Sequence, residues 1–188
     1  MAVSNLVTTG GLSQSDLITE PVWTLLGSYA STSGTSTISI TGLPSGYRKF
    51  RIMAWGISGS TGSYIRMRFN NDSSNYYYSM ITAYTANSSS YQTFFNSATV
   101  PYTAFAMQAW AATANPRYLF LDINNPSSTT DFKFFTGKTI YQTSTYQTED
   151  LYGFVPITSA ISSIQFWAES GTLNTSSGTY GIYVYGAK

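Results

Sequence analysis

The stretch YIRMRFNNDSSNYYY, residues 64–78, carries the reading of the fold. Ile65, Met67 and Phe69 alternate with Arg66 and Arg68. In an extended chain successive side chains point to opposite faces, so the apolar three share one face and the arginines the other. Asn, Asp and Ser then fill positions 70–75, which is turn chemistry. Tyr76–Tyr78 open a new β-favouring run. The stretch reads as a core strand, an Asx-stabilised turn and the start of the next strand. On this reading the arginines are framework or interface residues and Asp72 accepts backbone hydrogen bonds. The rival reading makes the arginines a pair of cations for a carboxylate, phosphate or sugar.

The same period recurs along the chain. In TSTISITGL, Ile38 and Ile40 alternate with Thr37, Ser39 and Thr41, the mark of a sheet with one wet face. In KFRIMAWGIS, Phe50, Ile52 and Ala54 lie on one face and Met53, Trp55 and Ile57 on the other, so both faces look largely covered. Strand-like runs follow in YYYSMITAY, YQTFF, TVPYTAFAMQAW, PRYLFLDINN, DFKFFTGKTIY, LYGFVPI, ISSIQFWAES and GTYGIYVYGAK. Polar segments such as TANSSS, NPSSTT, QTSTYQTED and TLNTSSG separate them as loops. The weakest helical candidate is SQSDLIT, residues 13–19. Many short strands with polar turns predict an all-β, jelly-roll-like antiparallel β-sandwich with extra edge strands. It would span residues 21–188, behind an extended N-terminal arm at residues 1–20.

Composition narrows the chemistry. The chain has 188 residues, no cysteine and no histidine. Disulfides and thiolate metal sites are thereby excluded, as is the side chain most used for proton transfer near neutral pH. Only 9% of residues are charged, with a net charge of +1, against about 25% charged in an ordinary domain. Binding nucleic acid through a basic face is not expected. The N-terminus shows no secretory pattern and no long apolar run exists, so neither export by a signal peptide nor a membrane span is expected.

Asn70, Asp72 and Ser74 alternate as in a calcium loop, but Asn75 and Ile81 stand where the glycine and glutamate of that loop belong. The acids are Asp16, Glu20, Asp72, Asp122, Asp131, Glu149, Asp150 and Glu169. No spacing singles out a pair for glycoside hydrolysis. Glu149 and Asp150 are read as neighbours in a loop that point apart. No nucleophile elbow, dinucleotide fingerprint or phosphate loop occurs. No catalytic, metal or cofactor-binding residue is assigned, and no cofactor is expected. Trp23, Trp55, Trp110, Trp167 and the tyrosine clusters at 76–78, 141–152 and 180–185 are read as core and interface aromatics. Stacking on sugars is the alternative.

Several of these pieces, in their order, resemble a β-sandwich domain of tailed-bacteriophage virion proteins. The elements are LPSGYRKFRI (43–52) with Leu43, Pro44 and Tyr47; then Arg68, Phe69, Asn70, Asp72, Asn75 and Tyr76; and finally Tyr185 and Gly186 in the closing strand. Asn71 departs from the pattern, which has glycine there. The resemblance covers residues 23–187 in patches. It implies a non-enzymatic virion structural protein, made in the host cytoplasm and carried in the particle. A capsid decoration or cement protein on the outer head surface is the first expectation, binding the major capsid protein or other virion proteins. It would be a homo-oligomer, with a trimer favoured, and its arm would lie on the shell. A tail-tip or fibre module for a host receptor or carbohydrate is the alternative.

Overall fold

The structure is a computed structural model. It describes residues 22–31, 34–59, 65–72, 76–84, 91–100, 103–105, 118–142, 146–168, 170–174 and 180–188. The arm at 1–20 and the helical candidate at 13–19 lie outside the described residues. So do Trp110, Asn75, Asp16, Glu20 and Glu169.

Among the described residues every regular element is a strand: β1 (Trp23–Ser31), β2 (Thr37–Thr41), β3 (Lys49–Trp55), β4 (Ser58–Gly59), β5 (Ile65–Phe69), β6 (Tyr76–Tyr84), β7 (Tyr91–Val100), β8 (Thr103–Phe105), β9 (Tyr118–Asn124), β10 (Lys133–Gln142), β11 (Tyr146–Val155), β12 (Ser163–Ala168), β13 (Leu173–Asn174) and β14 (Tyr180–Ala187). They form an eight-stranded sheet, β1-β14-β3-β9-β10-β11-β6-β7, a four-stranded sheet, β2-β12-β5-β8, and a small ribbon, β13-β4. The register is antiparallel throughout the strands that carry the sandwich.

The strand order is that of a jelly roll. Taking β1, β2, β3, β5, β8, β9, β12 and β14 as eight strands in chain order, the first, eighth, third and sixth lie side by side in the large sheet. The second, seventh, fourth and fifth form the small one. This is the double Greek key that keeps two sheets face to face. Two hairpins, β6–β7 and β10–β11, add to the β9 edge and widen one sheet to eight strands.

Alternation explains the packing. In β2 and β5 every second residue is buried, giving Ile38 and Ile40 and then Ile65, Met67 and Phe69. β12 adds Ile164, Phe166 and Ala168 from the same sheet. Facing them are Phe50, Ile52 and Ala54 of β3, Leu119, Leu121 and Ile123 of β9, and Ile182 and Val184 of β14. Phe69 meets Phe135 of the opposite sheet edge to face at 6.5 Å. Each such fully buried side chain contributes about 1.5–3 kcal/mol.

Two readings of the sequence are corrected. Ile57 is buried at 1% exposure and does not share the face of Met53 and Trp55. β3 ends at Trp55, and Gly56, with φ 69°, turns the chain back towards the core. The segment QTSTYQTED is also not all loop, because β11 already starts at Tyr146. Polar residues fit a strand there because Glu149 turns inward, where the Thr139 hydroxyl donates to its Oε2 at 3.0 Å, and Asp150 turns outward to Lys138 at 3.2 Å. The two acids do point apart, but from adjacent places on a strand.

The loop before β10 is fastened from below. The buried ammonium of Lys133 donates to the carbonyls of Ser128 (2.6 Å), Asp131 (2.7 Å) and Thr158 (3.3 Å). Burial pushes its pKa below the ordinary lysine value, with the Asp131 charge opposing.

Candidate protein-contact face

The outer face of the eight-stranded sheet is the strongest functional candidate. The register sets its side chains in rows across the strands. One row runs Leu25, Tyr185, Arg51, Asp122, Thr136, Tyr152. The next runs Ser28, Tyr183, Met53, Phe120, Lys138, Asp150. A third brings Trp55, Tyr118 and Ile140 together, and a fourth sets Asn124 beside Phe134 and Phe154.

This face departs from an ordinary wet face. Leu25 (51%), Tyr118 (51%), Phe120 (38%), Phe134 (52%), Ile140 (42%) and Tyr152 (49%) stand exposed on it. Phe132, exposed beside it, stacks on Phe154 at 6.2 Å. The remaining exposed large apolar side chain among the described residues, Val22, directly precedes β1. Isolated exposed apolar residues need no explanation, but a contiguous set on one face marks an interaction surface.

The charges at the centre of the face are paired, while Lys49 stands exposed beside Asn124 at its end. Arg51 grips Asp122 with two bonds, Nε to Oδ1 at 2.7 Å and Nη2 to Oδ2 at 2.8 Å. Its guanidinium also lies against the rings of Trp23 (4.2 Å) and Phe120 (4.5 Å). The hydrogen bonding by Asp122 raises the Arg51 pKa above its ordinary value despite partial burial. Lys138 pairs with Asp150. The indole of Trp55 stacks on Tyr183 at 4.4 Å. Between Trp55, Met53, Tyr118, Phe120, Lys138 and Ile140 lies a depression of about 250 Å³, floored by Ala54 and Leu119.

Of the motif residues picked out in the sequence, Tyr185 lies on this face and the others lie off it, in two groups. Arg66 and Arg68 occupy the outer face of the small sheet, opposite the buried Ile65, Met67 and Phe69. Arg68 donates from Nε to Gln165 Oε1 at 2.6 Å and lies 4.8 Å from the Trp167 ring. Asn70 and Asn71, at φ 53° and 54°, make the turn that the Asp72 N–H closes on the Phe69 carbonyl at 2.8 Å. Asn70 also ties down the loop before β12. Its Oδ1 accepts from the backbone N–H groups of Ser162 (2.8 Å) and Ser163 (3.2 Å), and its Nδ2 donates to the Ala160 carbonyl at 2.8 Å.

The second group joins the ends of the sandwich. Tyr47 donates its N–H to Ser127 Oγ at 2.9 Å and lays its ring beside Gly186. Tyr185, one residue earlier, points outward between Leu25 and Arg51. Thus Tyr47 and Gly186 are brought together, and Arg68, Phe69, Asn70 and Asp72 form a separate corner. Sequence reasoning did not assemble the aromatic face. Its signal was present in the alternate residues of FRIMAW and YLFLD, which set Arg51, Met53 and Trp55 beside Tyr118, Phe120 and Asp122.

Fold and face together define an all-β jelly-roll sandwich with a broad, exposed aromatic outer face. No family profile matches the chain, and no curated protein matches it. Among the described residues, no group of three or more potential metal-binding side chains converges, and no helix is long and apolar enough to cross a membrane.

Proposed function

We propose that this chain is a non-enzymatic structural protein of a tailed-phage virion, a decoration or cement subunit that attaches to the outer head surface and strengthens capsomer joints. The observation that carries the reading is the outer face of the eight-stranded sheet, where the exposed apolar side chains gather and Arg51, Asp122, Lys138 and Asp150 are pre-paired. The centre of such a face loses little on desolvation and gains from apolar burial, as protein interfaces do, with Lys49 left at its end. The order of the motifs around Tyr47, Asn70 and Gly186 supports the virion assignment. Immunogold labelling of phage particles that encode the chain tests it. Label over the head is expected. Absence of the chain from purified particles by mass spectrometry overturns the reading.

A second reading, a tail-tip or fibre module for a receptor or carbohydrate, draws on the depression beside Trp55 and Tyr118. Ring faces next to the Lys138–Asp150 donor and acceptor would suit a sugar. Tail label, with a glycan-array signal lost in Trp55→Ala, favours it over the first.

A further inference from the structure

We infer that the occupant of the aromatic face is a second copy of this chain, packed face to face about a two-fold axis that runs across the strands at the level of Gly137. The inference rests on the reading of this face as a protein-contact surface and names a second copy, not the shell, as what covers it, so that attachment to particles falls to the other surfaces of the pair.

Complementarity along a single strand carries the argument. At one end of β10 Phe134 projects, with 52% of its surface exposed, beside the stacked pair Phe132–Phe154. Six residues along the same face stands Ile140, on the wall of the 250 Å³ depression. A two-fold axis midway between them inverts the order of rows. Phe134 of one copy then meets Ile140 on the depression wall of the other, while Asn124 and Lys49 come opposite its Tyr118 and Trp55 rings, twice over. The alternative two-fold, along the strands, sets the Phe134 end against itself and leaves both depressions empty.

Charge and area agree with this pairing. Inversion of the rows places Lys138 opposite Thr136 of the other copy, next to that copy's Asp122, Arg51 opposite Met53, and Lys49 opposite the Trp55 ring. No like charges meet among these. The seven exposed apolar side chains on and beside the face, each about half exposed, offer roughly 600 Å² per copy. Stable complexes bury about 800 Å² per partner, so the apolar part nearly fills that requirement. Two sheets packed in this way would stack about 10 Å apart.

The absence of cysteine gives a clean test. Phe134→Cys and Ile140→Cys are made separately in the full chain, and the mixture is oxidised with oxidised glutathione, which takes up the two electrons and two protons of disulfide formation. Because the axis sets residue 134 of one copy against residue 140 of the other, the mixture is expected to give a covalent heterodimer and either variant alone very little. In sedimentation velocity the wild type is expected at twice the chain mass, and Phe134→Asp, with an unchanged circular-dichroism spectrum, is expected to weaken association at least about tenfold. A monomer at all concentrations, a trimer, or cross-linking of Phe134→Cys to itself overturns the inference. So does a monomeric wild type whose attachment to particles is lost in Phe134→Asp, since the occupant is then another virion protein and only the reading of the face survives. Absence from particles with the heterodimer present fails the virion reading alone.

Discussion

Tyr47 lies so close over Gly186 that a methyl group on that glycine would stand 2.5 Å from Tyr47 Cδ1 and 2.7 Å from Leu26 Cδ1. The last strand thus receives the corner that leads into β3. The Arg48 N–H donates to the Ala187 carbonyl at 2.9 Å, locking the same junction.

Gly186→Ala is therefore expected to destabilise the fold by about 1–3 kcal/mol through overpacking. Tyr47→Leu alone also destabilises, but combined with Gly186→Ala it costs less than the sum of the two. A double-mutant cycle from urea melts measures the coupling. Strict additivity would show that the ring and the glycine do not meet.

At the turn after β5 both central residues are left-handed, a conformation that asparagine tolerates and glycine prefers. Asn71→Gly is expected to be neutral or to stabilise by up to about 0.5 kcal/mol, and Asn71→Val to destabilise by about 1–2 kcal/mol. Asn70 differs because its amide also holds the loop at 160–163. Asn70→Gly keeps the backbone yet loses those bonds, at a cost of about 1–2 kcal/mol. Thermal unfolding of the three variants separates the two roles, and equal responses of Asn70→Gly and Asn71→Gly would refute the distinction.

Lys133→Met removes a buried ammonium and strands three carbonyls, with an expected loss of about 2–3 kcal/mol near neutral pH. The pH dependence has a definite sign. The folded-state pKa is depressed below the reference of 10.5, so between the two values the unfolded chain binds more protons. The stability of the wild type relative to Lys133→Met should therefore rise with pH as 10.5 is approached from below, and level off above it. Chemical denaturation at stepped alkaline pH checks this, and a falling difference would contradict it.

Arg51→Lys keeps the charge but gives up the two-pronged grip on Asp122 and the stacking against Trp23 and Phe120. With both partners partly open to solvent, a loss of about 1 kcal/mol is expected. Asp122→Asn should cost a similar amount, and the double variant little more. Guanidinium melts of the set give the coupling, which would vanish if the pair were held only by its neighbours.

Much of the fold was legible because its signal is local. Ile38 and Ile40, and Ile65, Met67 and Phe69, declare their faces by period alone. The start of β11 is hidden in the sequence because Glu149 looks like a loop residue until the hairpin sets Thr139 beside it. Ile57 leaves the face that alternation assigns it because a positive φ at Gly56 breaks the period. The aromatic face was hidden for a further reason. Trp55, Tyr118 and Ile140 are far apart in the chain, and only the order β3-β9-β10 makes them neighbours. Tyr47 and Gly186 were both singled out by resemblance, but the physical reason for the pair, a ring that needs the space a side chain would fill, is visible only once β14 lies beside β3.

The central claim is that the aromatic side of the large sheet is covered when the protein is at work. Hydroxyl-radical footprinting of dilute and assembled protein measures it directly. The account predicts that oxidation of Tyr118, Phe120 and Phe134 falls several-fold on assembly while Trp167, on the opposite sheet, reacts as before. Equal oxidation of the three rings in both states, or protection of Trp167 instead, would contradict it.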